Sequence, residues 1–341
     1  MNNDWIDFLT SQGATLDDEH QASFAGSSDA SSVKMPLTHL GIIKITGEDK
    51  QTFLQGQLTN DTRNISASDS QLSSYCTPKG RMMTSFRIFS DIDNNWYIVI
   101  PLQSLESTLK RLRMFVLMSK VELTDVTDSM AAIGLEGDIT SLFDKKLPDK
   151  TDQTIHENGI SLIRVTTHRD RYMAVGQTEA VQQLWQKAEQ ANAAGTLNWR
   201  LADIEDGIPN VFESTREAFI PQMTNLQLIN GVSFTKGCYT GQEVVARMQY
   251  LGKLKRRMYT VSFEHDGTPQ PGDDIFSSTS SSGQGAGKLV DVIATGNNHF
   301  KGLAVLEISG VENGEFHLYD DQGPALQVSP PPYEFEQDEQ S

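Results

Sequence analysis

Short apolar runs and helical repeats alternate along the first half of this chain in an irregular order. Apolar runs over 40–45, 81–89 and 96–100 predict strands, and a polar turn joins the last two as a hairpin. Apolar residues at helical spacing over 105–116 predict an amphipathic helix, and a shorter helix is predicted around 51–58. Because a helix does not follow every strand, the pattern excludes the strict βαβα order of a dinucleotide-binding fold and predicts an α+β protein.

The second half of the chain divides into further segments. A strand, a hairpin and a helix predict a second unit that begins near residue 130. From 258 to 330, short strands separated by Gly-, Ser- and Asn-rich turns predict a small antiparallel barrel, with a flexible loop over 277–287. The predicted divisions are a polar N-terminal arm at 1–35, a first α+β unit at 36–128, a second at 129–197, a return to the first unit at 198–252, a barrel at 253–332 and an acidic tail at 333–341.

Length, charge and cysteine content limit the classes of protein that this sequence can encode. With 341 residues, the chain is long enough for two or three domains. No run approaches ~18 consecutive apolar residues, and the N-terminus lacks the pattern of a secretory signal, so we expect a cytoplasmic protein without membrane contact. The 2 cysteines cannot build a disulfide framework. The net charge of −17 disfavours general nucleic-acid coating, because an acidic surface repels phosphate.

The segment richest in candidate chemistry contains Cys238. Thr240 and Glu243 have the spacing of a capping box, which predicts that a helix begins at Gly241 with Thr240 as its cap. Cys238 would then lie close to the positive end of the helix dipole and beside Lys236, and both influences lower the pKa of a thiol. The alternative interpretation is a buried structural cysteine.

This segment, Lys-Gly-Cys-Tyr-Thr-Gly-Gln-Glu at 236–243, resembles the signature of the YgfZ family of folate-binding proteins linked to tRNA modification. Four other stretches resemble the family in the same order, at 46–61, 79–81, 199–209 and 219–226. The resemblance implies the aminomethyltransferase (glycine cleavage T-protein) fold. It also implies that two α+β units and a C-terminal antiparallel barrel form a ring, with tetrahydrofolate or another folate at its centre.

The resemblance also implies which residues contact folate. Trp199 matches an aromatic side chain that packs on the pterin, and Glu205 matches a carboxylate that accepts hydrogen bonds from pterin N–H groups. Leu40 stands where the family has a second aromatic residue. For Trp199, the alternative interpretation is packing in the core.

The reaction of the aminomethyltransferases is not expected here. By resemblance, that chemistry uses an Asp in an Asp-Asp pair shortly after the Lys-Gly turn, and the corresponding residues are Thr84 and Ser85. Neither hydroxyl is ionised at pH 7 or replaces a carboxylate base.

A short basic cluster follows the signature segment. Between 244 and 263 there is no acidic residue, and the cations are Arg247, Lys253, Lys255, Arg256 and Arg257. The cluster, with Arg247 as its candidate folate contact, predicts a site for a polyanion such as a folate polyglutamate tail or RNA phosphates. The alternative interpretation is a solvated strand face.

The leading hypothesis is a folate-binding accessory protein that supports iron–sulfur enzymes, including those that thiolate tRNA. Three alternatives remain open. The chain could be a folate-dependent aminomethyl- or methyltransferase, a direct tRNA-binding protein that uses the basic cluster, or a folate buffer in which Cys238 is structural. The 2 cysteines are too few for a four-Cys iron–sulfur cluster within one chain.

Overall fold

A computed structural model describes residues 2–25, 31–280, 285–311 and 314–335. By its internal contacts the chain divides into two compact units. The first comprises residues 1–56, 61–73 and 86–199, and the second comprises 57–60, 74–85 and 200–341. The six divisions predicted from the sequence stay a prediction.

The described residues contain helices in both units. They are α1 (Asn3–Ser11), α2 (Lys50–Gln55), α3 (Leu102–Arg113), α4 (Thr178–Lys187), α5 (Thr196–Glu205), α6 (Gln242–Leu251) and α7 (Ile308–Val311).

The strands are short, and most pair antiparallel. They are β1 (Ala14–Leu16), β2 (Ala22–Phe24), β3 (Ser32–Pro36), β4 (Leu40–Thr46), β5 (Gln71–Cys76), β6 (Met82–Ser90), β7 (Trp96–Pro101), β8 (Glu122–Asp125), β9 (Met130–Gly137), β10 (Thr154–Glu157), β11 (Ile160–Thr166), β12 (Arg171–Gln177), β13 (Asn192–Ala193), β14 (Arg256–Glu264), β15 (Asp274–Phe276), β16 (Gly287–Gly296), β17 (His299–Glu307), β18 (His317–Leu318) and β19 (Gln327–Ser329).

The first unit contains a six-stranded sheet in the order β10-β11-β12-β9-β3-β13. Its apolar face packs on α1 and α4, where Val181 and Trp185 of α4 join the buried core. In a second sheet β4 pairs antiparallel with β7 and β8, and β7 pairs with β6. The predicted strands and hairpin are thereby confirmed, and the predicted amphipathic helix is present as Leu102–Arg113, which ends before its predicted last residue at 116.

The segment predicted as a polar N-terminal arm at 1–35 contains α1, β1 and β2. Trp5 and Leu9 lie one helical turn apart on α1 and are both buried in the core of the first unit. The Trp5 ring meets Trp185 edge-on at 6.0 Å, and the Asn2 side chain caps the helix by accepting from the Trp5 N–H. Trp185 is distant from Trp5 in sequence, so a local pattern around Trp5 does not reveal this contact. Residues 26–30 of the predicted polar N-terminal arm lie outside the described residues.

The second unit contains a sheet in the order β18-β15-β16-β17-β14-β19, whose strands pair antiparallel. The sheet curls into half a barrel around apolar side chains, including Leu289, Ala304 and Leu306. This confirms the predicted C-terminal antiparallel architecture and the α+β class. Residues 281–284 of the predicted flexible loop and 336–341 of the predicted acidic tail lie outside the described residues. Among the described residues, no helix is long and apolar enough to cross a membrane.

Candidate functional site

The turn Lys79-Gly80-Arg81 connects β5 to β6 in the second unit. Gly80 has φ +70°, a left-handed conformation that favours glycine, and its N–H donates to the Thr77 carbonyl at 2.9 Å. The Thr77 N–H donates in turn to the Arg81 carbonyl at 2.8 Å, which closes the hairpin. The two strands therefore end in a tight turn whose backbone is open to close approach.

The signature segment packs directly on this turn. Gly241 has φ +88°, and a Cβ there would overlap the Thr77 carbonyl oxygen. A Cβ on Gly80 would lie 2.9 Å from Cβ of Val244, in the first turn of α6. Both glycines are thus required where two backbones meet.

Helix α6 begins differently from the sequence prediction. Its cap residue is Gly241 in the left-handed conformation, without a side-chain cap hydrogen bond, so the assignment of Thr240 as the cap is wrong. The left-handed backbone at residue 241 turns the chain against the β5–β6 hairpin, which local capping rules do not anticipate. Cys238 consequently lies four residues before Gln242, the first residue of α6. This spacing weakens the argument from the helix dipole, which acts within about one turn.

Lys236 anchors the signature segment through buried hydrogen bonds. Its side chain is buried, and Nζ donates to the Leu58 carbonyl at 2.6 Å and to the Asn60 carbonyl at 2.8 Å. The ammonium also lies 5.1 Å from the centroid of the Tyr239 ring. The sequence predicted that the Lys236 ammonium lies beside the Cys238 thiol and lowers its pKa, whereas in the structure the ammonium donates hydrogen bonds to two backbone carbonyls.

The segment 57–60 also donates hydrogen bonds to the backbone at residues 230 and 231. Thr59 Oγ1 donates to the Gly231 carbonyl at 2.9 Å, and Asn60 Nδ2 donates to the Asn230 carbonyl at 2.6 Å. No local pattern assigns a role to Thr59 or Asn60, although both lie in one of the stretches that resemble the family. Their contacts join positions about 170 residues apart, and the only sequence signal was that resemblance.

Cys238 is exposed, whereas Lys236 and Tyr239 on either side of it are buried. A Cβ added to the adjacent Gly237 would meet nothing within 4 Å, so the space beside the thiol is open. The alternative interpretation of Cys238 as a buried cysteine is therefore wrong. Its role as a reactive thiol stays a prediction.

Cys76 is the buried cysteine of this protein. Burial raises the pKa of its thiol to about 12, and a weak hydrogen bond with Ser74 opposes that shift. Burial, together with the nearby Cys76, also raises the pKa of Tyr239, whose buried hydroxyl has no hydrogen-bond partner among the residues that the structure describes. The side chains of Cys76 and Tyr239 are therefore unreactive and lie beneath the signature segment at 236–243.

Thr84 and Ser85 lie buried on β6. Ser85 Oγ donates to the Pro209 carbonyl at 3.0 Å, and Thr84 Oγ1 donates to the Ser85 carbonyl at 3.3 Å. Both hydroxyls are engaged with the backbone, so neither acts as a base at these positions. Among the described residues, no group of His, Cys, Asp and Glu could hold a metal ion.

The predicted folate contact Trp199 belongs to the first unit. Only 2% of its surface is exposed, and the guanidinium carbon of Arg171 lies 3.8 Å from the indole centroid. Arg171 Nη2 also donates to the Trp199 carbonyl at 2.9 Å. Because Gly134 has no side chain, the indole can pack closely on β9.

Two of the other three predicted folate contacts, Glu205 and Leu40, lie in different surroundings. Glu205 Oε1 accepts from Lys301 Nζ at 2.8 Å in the second unit. Leu40 lines a cavity of about 30 Å³ in the first unit, which has room for roughly one water molecule. The assignment of Trp199, Glu205 and Leu40 as folate contacts stays a prediction.

The structure divides the basic cluster into two groups. Arg247, Lys253 and Lys255 are exposed. Arg256 donates to the Gly285 carbonyl at 2.6 Å, and the Arg257 guanidinium lies 4.5 Å from the Phe335 ring centroid. The cluster thus presents fewer cations to a polyanion than the sequence suggested.

Comparisons with known proteins agree on one family and one fold, although no family model matches the chain. The tRNA-modifying protein YgfZ of Hamiltonella defensa subsp. Acyrthosiphon pisum (strain 5AT) is 32% identical over 321 residues, which cover 88% of this chain and 95% of the relative. The protein of the same name from Photorhabdus laumondii subsp. laumondii is 31% identical over 324 residues, covering 92% and 98%. The crystal structure of the glycine cleavage system aminomethyltransferase T from Bartonella henselae aligns with a TM-score of 0.74 at 12% identity, covering 95% of each chain. This likeness confirms the predicted fold.

Proposed function

Because this chain belongs to the YgfZ family of tRNA-modifying proteins, we propose that it is a folate-binding accessory protein that supports iron–sulfur enzymes, including tRNA-thiolating ones, through Cys238. The observation that carries the proposal is the exposed thiol of Cys238 on a loop that buried groups hold in place. A fixed loop with an exposed thiol can present sulfur to a partner without reorganising first.

The same site does not support aminomethyl transfer. The positions that would need a carboxylate carry Thr84 and Ser85, whose hydroxyls are buried and bonded to backbone carbonyls. Loss of a general base typically lowers a rate by ~10²–10⁴-fold. We therefore propose an accessory role in place of turnover of an aminomethyl substrate. The proposed compartment is the cytoplasm.

Complementation tests the role of Cys238. In cells that lack the native protein, the wild-type chain should restore thiolated tRNA, measured by mass spectrometry of digested tRNA. Cys238→Ser should fold normally and fail to restore it, whereas Thr235→Ala, a change at an exposed neighbour in the same loop, should restore it. Full restoration by Cys238→Ser would contradict the proposal.

Folate is the ligand that the family resemblance implies, and it is a separate part of the proposal. A pterin can stack on Trp199 only if the Arg171 guanidinium leaves the indole. Isothermal titration with tetrahydrofolate should show binding to the wild-type chain, and Trp199→Phe should weaken it about 5–150-fold, as loss of ~1–3 kcal/mol of contact implies. Equal affinity in the two proteins would remove Trp199 from the site.

A further inference from the structure

The loop after α3 exposes a run of large apolar side chains. The sequence repeat predicted a helix up to Val116, but α3 ends at Arg113. The residues that follow are exposed to unusual extents: Met114 by 59%, Phe115 by 44%, Leu117 by 83% and Met118 by 94%. We refer to residues 114–118 as the apolar loop.

The backbone of the apolar loop is held in place. The Phe115 N–H donates to the Leu112 carbonyl at 3.0 Å, and the Val116 N–H donates to the Arg113 carbonyl at 3.2 Å. The Leu117 N–H donates to the Phe115 carbonyl at 3.0 Å. The exposed side chains are therefore displayed by a hydrogen-bonded turn. Contiguous exposed apolar side chains on a folded protein typically mark an interaction site.

Positive charge borders the apolar loop. Lys110, Arg111, Arg113 and Lys120 flank it, and no acidic residue occurs from 107 to 121, although the chain as a whole carries −17. Arg113 Nη2 donates to the Leu123 carbonyl, and Lys120 pairs with an exposed glutamate at 3.1 Å. Lys120 is compensated by that glutamate, and its backbone N–H donates to the Asp49 carboxylate at 2.8 Å. The cations that border the loop therefore lie in the last turn of α3, at Lys110, Arg111 and Arg113.

We propose that the apolar loop is the docking site for an acidic amphipathic helix of a partner protein. Methionine and leucine side chains adapt to a helix surface, and Phe115 supplies an aromatic anchor. The flanking cations complement carboxylates at the edges of such a helix. An anionic bilayer or an RNA is less favoured, because an extended anionic surface would also face the rest of this strongly acidic chain.

A designed peptide tests the proposal with the full-length chain. The probe is a fluorescently labelled 20-residue helix with leucines on one face and glutamates on the other, and the matched control peptide carries lysines in place of the glutamates. Fluorescence anisotropy should show binding of the acidic peptide alone, and this binding should weaken as salt rises.

Two variants locate the binding surface. Leu117→Asp should weaken acidic-peptide binding at least 10-fold, whereas Ile92→Asp, at an apolar residue 72% exposed in another loop of the first unit, should leave it unchanged. Both changes are at exposed positions, and matching urea midpoints would verify that each variant folds. The proposal is overturned if the acidic peptide does not bind, or if Leu117→Asp binds it as well as the wild type. It is also overturned if phosphatidylglycerol vesicles or tRNA, and not the peptide, bind through Leu117. This test involves neither Cys238 nor folate, so its outcome is independent of the proposed function.

Discussion

The two cysteines of this protein should differ sharply in reactivity. Cys238 is exposed beside open space, whereas Cys76 has no exposed surface. Burial raises the pKa of Cys76 to about 12, so at pH 8 roughly one molecule in ten thousand would carry its thiolate. Native protein should therefore take up one alkyl group from iodoacetamide, at Cys238, and a second only after unfolding.

The same contrast predicts the effect of serine substitutions on stability. Cys76→Ser replaces a fully buried thiol by a hydroxyl, which costs more to remove from water, and should lower the free energy of unfolding by about 1–3 kcal/mol. Cys238→Ser changes an exposed atom and should alter it by less than ~0.5 kcal/mol. Urea unfolding of the two variants, followed by circular dichroism, measures both quantities.

Mass spectrometry of the native variants completes the experiment. Native Cys238→Ser should remain unmodified, and native Cys76→Ser should take up one alkyl group. The reasoning fails if native Cys238→Ser is alkylated as fast as the wild type, or if Cys238→Ser is the more destabilising substitution.

Three further predictions concern the signature loop and one carboxylate. Gly241→Ala should lower the free energy of unfolding by ~2 kcal/mol or more in urea titrations, because its φ is +88° and a Cβ would overlap a carbonyl oxygen; Gly237→Ala, with open space around it, should change it by less than ~0.5 kcal/mol. Lys236→Met removes the ammonium that donates to two buried carbonyls, and should lower the free energy of unfolding by ~2–4 kcal/mol in the same assay. Lys236→Arg, which keeps a donor, should lower it less. Equal stability of Lys236→Met and the wild type would contradict this anchoring role of Lys236. The side-chain hydrogen bond from Arg63 lowers the pKa of Asp61, so the stability that this carboxylate contributes is complete above its unfolded pKa of ~3.9 and is lost as pH falls below it. Asp61→Asn should therefore flatten the acid side of the stability–pH curve, and an unchanged curve would refute this.

Local sequence patterns correctly predicted the elements whose causes are local. The apolar period of α3 and the hairpin of β6 and β7 follow from residues within each element and its turn. The signature at 236–243 likewise identified the family, because an eight-residue motif is specific whatever surrounds it. The net charge and the number of cysteines also follow from the sequence alone.

The tertiary structure decided the features that depend on distant partners. Helix α6 begins after Gly241 because the turn at Gly80 lies against that residue. The Lys236 ammonium can be buried because the Leu58 and Asn60 carbonyls accept hydrogen bonds from it. Trp199 is covered because Arg171 lies on its ring. Such contacts join residues far apart in the chain, and the energy of each depends on burial that only the folded arrangement creates. For that reason the sequence could name Cys238 only as a candidate, and the structure was needed to show that its thiol is exposed.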